Sequence, residues 1–194
     1  MNKSGADIYL ALLHNQIYNK LGEKITTTVT NYDLHDISRA AKTYDVKKYF
    51  VVNQLQSQQE LVQRVKDYWT GGRGADYCYN RHEAFSMLEI ADDMAEVKKK
   101  IEEESGKKAV VAATDASKFP NSTSYAEMRN IISSSDRPIL IIFGTGYGLS
   151  EETLNDCDII LKPVLGRGDF NHLSVRSAAS IIMDRLLALP WWEE

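Results

Sequence analysis

The sequence predicts an α/β fold, a mostly parallel sheet flanked by helices. Three observations carry that expectation. Short apolar runs alternate with longer amphipathic stretches from one end of the chain to the other. The amphipathic stretches place apolar residues at helical spacing, so strands and helices take turns, the pattern of a parallel sheet. No internal repeat, low-complexity linker or shift in composition divides the 194 residues, so one domain over 1–194 is expected.

The elements follow in order. "DIYLALLH" (Asp7–His14) reads as a buried strand, and "LHDISRAAKTY" as a helix with Leu34, Ile37, Ala40, Ala41 and Tyr44 on one face. "KKYFVVN" (Lys47–Asn53) is a second strand, rich in aromatic and β-branched residues. "SQQELVQRVKDYW" repeats the helical spacing with Leu61, Val62, Val65 and Trp69. "TGGRGADYCYNRHE" (Thr70–Glu83) is the least regular stretch and reads as a loop. "SMLEIA" (Ser86–Ala91) is a weaker third strand; "DDMAEVKKKIEEESG" starts on Asp, is amphipathic and stops at Gly106. "KAVVAAT" (Lys108–Thr114) is the fourth strand, and "SYAEMRNIIS" opens with a capping box from Ser124 to Glu127. "PILIIFG" (Pro138–Gly144) and "CDIILKP" (Cys157–Pro163) are the fifth and sixth strands, with a short helix from Ser150 between them. The last helix, "SVRSAASIIMDRLL", starts at Ser174 and is left at Pro190; Trp191 and Trp192 are read as packing on a surface or a partner.

Composition excludes several classes. With 43% hydrophobic and 26% charged residues the chain can bury a core as an ordinary globular protein. No apolar run approaches the ~18 residues of a membrane span. "MNKSGADIYLALLHNQ" lacks the apolar core and cleavage site of a signal peptide. Cys78 and Cys157 have no CxxC partner, which fits free thiols and a cytoplasmic location. Neither they nor His14, His35, His82 and His172 show ligand spacing, so no metal is expected. Lys98, Lys99 and Lys100, followed by Glu102 to Glu104, read as a solvated helix face. The net charge of −4 argues against wholesale phosphate binding but leaves room for a local basic patch.

"IIFGTGYGLS" (Ile141–Ser150) ends a strand in three alternating glycines, Gly144, Gly146 and Gly148. A phosphate loop needs Lys after its last glycine, and none is there. A dinucleotide fingerprint needs Gly three positions after Gly146, where Leu149 stands, and it belongs to the first strand–helix unit rather than the fifth strand. On the loop alone a tight turn remains open. The residues that follow, "CDIILKPVLGRGDFNHLSVRSAASIIMDRLL", run strand, glycine-bearing loop, polar cluster, then a helix of Ala, Ser and Ile.

Together, "FGTGYGL", "ILKPVLG" and "NHLSVRSAASIIMDRL" resemble the second and third motifs of the SPOUT (SpoU/TrmD-type) methyltransferases, and "NYDLHDISRAAKTYDVKKYFVV" echoes the first SpoU motif. Within that class the chain is similar to a bacterial group of SAM-dependent RNA methyltransferases over residues 7–188, in which "VTNxDxHDIxRxxRTY", "FGTGxGL" and "DFNHLSVRSAAAIIxDRL" recur. The resemblance implies a C-terminal trefoil knot, S-adenosyl-L-methionine as cofactor, and a tRNA or rRNA substrate. It implies a homodimer through the first-motif and last helices, where Val175, Ala178, Ile182 and Leu186 form an apolar face. It also implies three cofactor loops: Ala113 and Thr114; Phe143, Gly144, Thr145, Gly146 and Gly148; and Leu161, Pro163, Leu165 and Gly166 continuing to Leu173 and Val175. This cofactor has no phosphate. It needs backbone at close range, which glycines allow.

For the transfer, the family's first-motif Arg falls on Arg39 and its Asn on Asn31. In relatives that Arg assists deprotonation of a ribose hydroxyl or binds an adjacent phosphate; read without the resemblance, Arg39 is a solvated helix residue or pairs with Asp36. His35 on the same helix is a proton relay or a structural residue. Asp169, Asn171, His172 and Ser174 form a polar cluster in which Asn171 or Ser174 caps the last helix or meets substrate. His172 departs from the SpoU pattern "SLNVSxA", and Asp169 offers a base of the kind base-methylating relatives use, so ribose and base acceptors both stay open. Arg64, Arg73, Tyr77 and Arg81, interleaved with Trp69 and Tyr79, are candidates to hold RNA, or belong to a surface loop over the core. A non-catalytic RNA or metabolite binder on the same fold is the alternative to an enzyme.

Overall fold

The computed structural model describes residues 5–189, so Pro190, Trp191 and Trp192 lie outside it. All six expected strands form. In chain order they are β1 (Ile8–Leu13), β4 (Lys48–Val52), β5 (Leu88–Ala91), β6 (Val110–Ala113), β7 (Ile139–Phe143) and β8 (Ile159–Ile160). They make one parallel sheet in the order β5-β4-β1-β7-β6-β8. Leu10 of β1 lies level with Tyr49 on one side and Ile141 on the other.

Helices cover both faces, which is why the strands read as continuous apolar runs. One face carries Leu10, Leu12, Tyr49, Ile141 and Phe143 under α1 (Asn31–Thr43), α2 (Gln56–Gly71), α6 (Tyr125–Ser134) and α8 (Val175–Leu187). The other carries Tyr9, Ala11, Phe50, Leu140 and Ile142 against α5 (Met94–Ser105) and α7 (Glu151–Asn155). Thr30, Asp93, Ser124, Ser150 and Ser174 cap α1, α5, α6, α7 and α8 with their side chains, and Ser124 with Glu127 makes the expected capping box. α8 packs on α1, where the Tyr44 hydroxyl donates to Asp184 at 2.9 Å. Ile182 and Leu186, expected on a dimer face, point into the chain's own core.

Two regions differ from the sequence reading. Thr70–Glu83 is not a loop: it holds the end of α2, α3 (Arg73–Tyr77) and most of α4 (Tyr79–Ser86). The cause is tertiary. His35 meets Phe85 and Trp69 edge-on at 4.8 and 5.6 Å between centroids, and Gly74 passes so close to Tyr68 that a Cβ there would sit 2.6 Å from the Tyr68 carbonyl. The second difference is a small hairpin of β2 (Ile17–Tyr18) and β3 (Lys24–Ile25). The Asn19 side chain accepts from the amides of Leu21 and Glu23 to close its turn. The sixth strand is also shorter than expected, with Leu161 reduced to a bridge beside Thr123.

Candidate functional site

Ligands of open parallel sheets sit beyond the carboxyl ends of the strands. Here the ends of β6 and β7, with the segment that leads into α1, open onto a cavity of about 610 Å³. The glycine loop forms one wall. Gly146 and Gly148 have φ of +58° and +100°, a region that side chains disfavour. A Cβ on Gly148 would lie 2.9 Å from Asp115 Oδ2, so the backbone itself faces the cavity. The hairpin holds the loop from behind: the Tyr147 amide donates to the Tyr18 carbonyl at 3.0 Å and the Tyr18 amide to the Gly148 carbonyl at 3.2 Å.

Beneath the loop runs a chain of hydroxyls. Thr145 Oγ1 donates to the Leu13 carbonyl at 3.1 Å, and Thr27 Oγ1 lies 2.6 Å from Thr145 Oγ1. Thr27 Oγ1 also lies 3.0 Å from His14 Nδ1 and 3.4 Å from the His14 carbonyl, so one hydroxyl links the loop to the buried imidazole and its backbone. His14 is fully buried and its Nε2 has no hydrogen-bond partner. Burial pushes its pKa down to about 4, against the pull of the Asp33 carboxylate.

Asp33 lines the cavity from the first turn of α1 and is only 5% exposed. Its Oδ2 accepts from the Thr30 hydroxyl at 2.6 Å, while Oδ1 has no hydrogen-bond donor. The Arg176 guanidinium, from the first turn of α8, stands 3.6 Å from Asp33 Oδ1 and 3.6 Å from Asp36 Oδ2. The third loop is tied down by Asn171, whose amide donates to the Ala116 carbonyl at 2.7 Å.

The cavity gathers Thr114, Phe143, Gly144, Thr145, Gly146, Gly148, His172, Leu173 and Val175 from the sequence expectation. Others are not on its lining. Ala113, Leu161 and Pro163 are buried, Leu165 and Gly166 are exposed, and Val164 lines the wall from their segment instead. Asn31 and Asp169 are exposed and off the lining. Asp33, Thr27 and Arg176 join it without having been singled out. An acidic residue in a first helical turn ordinarily answers the helix dipole, so Asp33 carried no distinctive signal.

Arg39 faces elsewhere. Six residues along a helix turn about 120° away and rise ~9 Å, so Arg39 leaves α1 on another side from Asp33. It lines a second cavity of about 430 Å³ with Lys42, Cys78, Asn80, Arg81 and Glu83. Arg81 Nη1 donates to His35 Nδ1 at 2.9 Å and its guanidinium lies 4.8 Å from the Trp69 ring centroid. Burial, then the Arg81 charge, lowers the His35 pKa, which keeps Nδ1 free to accept. Arg64 and Arg73 are exposed and outside this cavity, and Tyr77 is 87% exposed. Among the described residues no cluster of ligating side chains could hold a metal, and no helix is long and apolar enough to cross a membrane.

The model of a family described as "SAM-dependent RNA methyltransferase" matches residues 7–188. An uncharacterized protein of Aquifex aeolicus is 40% identical over 182 residues, 94% of this chain and 89% of that protein. A tRNA (guanine-N(1)-)-methyltransferase of Nitratidesulfovibrio vulgaris is 38% identical over 186 residues, 96% of this chain but 43% of that protein. The chain thus spans less than half the length of that relative. The SpoU methyltransferase AviRb of Streptomyces viridochromogenes, solved with AdoMet, superimposes with a TM-score of 0.56 at 15% identity, over 96% of this chain and 58% of that one. That likeness places the fold in the class the sequence motifs resemble.

Proposed function

The chain belongs to the SAM-dependent RNA methyltransferase family, and on that premise we propose that the 610 Å³ cavity is where its cofactor sits and where methyl transfer to a tRNA or rRNA nucleotide takes place. S-adenosyl-L-methionine supplies an activated methyl group on a sulfonium. One observation carries the assignment: a lysine-free glycine loop with two positive φ angles faces a buried carboxylate that lacks a hydrogen-bond donor on one oxygen. The loop offers close backbone to a nucleoside without a phosphate cradle. Asp33, whose Oδ1 has Arg176 at 3.6 Å but no hydrogen-bond donor, keeps an acceptor for a ligand that is cationic at its sulfonium and ammonium.

Thr114, Phe143, Gly144, Thr145, Gly146, Gly148, Leu173 and Val175 form the cofactor walls in this reading. His172 stands at the acceptor side of the same cavity. Arg39, Asn31 and Asp169 sit off the lining, so they act on the acceptor only when a second copy of the chain or the bound RNA brings them to it. A cytoplasmic homodimer fits that requirement, with Arg39 of one protomer serving the cavity of the other.

Calorimetric titration with S-adenosyl-L-methionine and S-adenosylhomocysteine, with ATP and NAD as controls, tests the cofactor. Binding of the first two alone supports it; binding of ATP or NAD alone overturns it. Labelled methyl transfer to unfractionated tRNA and rRNA tests the reaction. Light scattering at micromolar concentration tests the dimer, and a monomer there removes it.

A further inference from the structure

We infer that the second cavity, between α1 and α4, is a binding site for backbone phosphates of the RNA substrate. The inference rests on the reading that RNA is the substrate. Three cations, Arg39, Lys42 and Arg81, share a space of about 430 Å³ with one carboxylate, Glu83. Glu83 is within 3.5 Å of Lys42, which leaves both guanidinium groups unneutralised at the site. Such a concentration of positive charge stands out in a chain of net charge −4. Like charges in one cavity repel, and an anion seated between them relieves the repulsion.

The two arginines are prepared differently. Arg81 is locked: His35 accepts one N–H, and the Trp69 ring backs the guanidinium. Its other donors remain for a ligand, because a guanidinium carries five. The Arg39 side chain has no hydrogen-bond or ion-pair partner among the described residues and is exposed. It is free to close on what Arg81 holds. Arg39 and Lys42 are three residues apart on α1, so both reach the same side of the helix. Guanidinium groups match phosphate oxygens in pairs, which a lone ammonium does not.

The surroundings favour a polynucleotide over a small anion. Tyr77 and Tyr79, next in the chain to the wall residue Cys78, are 87% and 68% exposed, and Tyr79 stacks on His82 at 6.3 Å between centroids. The exposed Tyr77 ring and the outer face of Tyr79 offer surfaces on which unpaired bases stack. Arg176, in contrast, faces the cofactor cavity with Asp33 and Asp36 already beside it and offers RNA no free charge. The structure thus separates the methyl-donor cavity from a phosphate grip on the far side of α1.

The test is binding, not turnover. Unfractionated tRNA is titrated at several salt concentrations against the wild-type chain and against Arg39→Ala, Lys42→Ala, Arg81→Lys and Arg64→Ala, with S-adenosylhomocysteine affinity as the folding control. Arg39→Ala and Lys42→Ala should each weaken tRNA about fivefold or more and lower the salt slope by about one. Arg81→Lys keeps the charge but loses the paired donors and should weaken tRNA by a smaller factor. Cofactor affinity should hold in all four. Equal losses at Arg64, which lies outside the cavity, would show diffuse attraction and overturn the site. So would an Arg39→Ala, Lys42→Ala double variant that binds tRNA like the wild type. A wild-type chain that binds the cofactor and no RNA defeats the substrate reading and this inference with it. One that binds AMP but no tRNA gives the cavity to a free nucleotide and overturns the RNA assignment.

Discussion

The hydroxyl of Thr27 lies 2.6 Å from that of Thr145, and through this contact the glycine loop rests on buried His14. Thr145 also donates to the Leu13 carbonyl at the end of β1. One residue thereby joins the central strand, the segment before α1 and the glycine loop. Replacing Thr145 by Val keeps the volume and removes the link. Urea unfolding should show a loss of about 1–2 kcal/mol, the cost of unpaired buried polar groups. S-adenosylhomocysteine affinity should fall as well, because the loop loses its support.

Gly148→Ala tests whether the loop's backbone shape matters. Its φ of +100° strains any side chain, and the added Cβ meets Asp115 at 2.9 Å. Stability should drop by about 1–3 kcal/mol, and calorimetry should find cofactor binding at least tenfold weaker. Gly166→Ala is the control: a Cβ there meets nothing within 4 Å. It should behave as the wild type in both measurements.

His14 gives the fold an acid limit. The unfolded chain takes up its proton near pH 6.5, the folded chain only near 4. As pH falls through that window the unfolded state binds more protons, so stability declines. The full penalty is about 3 kcal/mol and is reached below pH 4. Denaturant midpoints measured from pH 7 to 4 should fall in the wild type, and His14→Gln should flatten that part of the curve. An unchanged slope in the variant would place the acid sensitivity elsewhere.

Arg176 clasps α8 to α1 across the cavity mouth through Asp33 and Asp36. Arg176→Met leaves the buried Asp33 carboxylate without a countercharge. We expect a loss of about 1–2 kcal/mol, less than for a fully buried pair because Arg176 is partly hydrated. Asp33→Asn added to Arg176→Met should return part of that stability while cofactor affinity stays low. A double-mutant cycle with zero coupling would show that the pair does not act together.

Much of this was legible in the sequence where burial imposes a pattern. β1, β4 and β7 lie under helices on both faces, so each had to read as an apolar run. α1 showed its spacing because one face meets the core and the other meets water, and α6 showed its capping box because that signal is local. The α3–α4 region was not legible: three glycines between Gly71 and Gly74 weaken local helix propensity, and the helices form because Trp69, His35 and Phe85 hold them. The β2–β3 hairpin was silent because two-residue strands carry no period.

The site divides in the same way. Gly144, Gly146 and Gly148 announced themselves because their shape is local. Asp33 did not, since what makes it unusual is the Oδ1 left without a donor by packing against distant elements. Leu161 and Pro163 fell on the expected loop, yet their apolar side chains turn inward and leave Val164 at the wall.

The 610 Å³ cavity takes walls from the segment that leads into α1 and from the ends of β6 and β7, and is closed by the first turn of α8. In synthesis those pieces appear in that order, with α8 last. A chain that folds from its N-terminus therefore brings together the basic space between α1 and α4 before the lining of the larger cavity is complete, so the two cavities mature at different moments of folding.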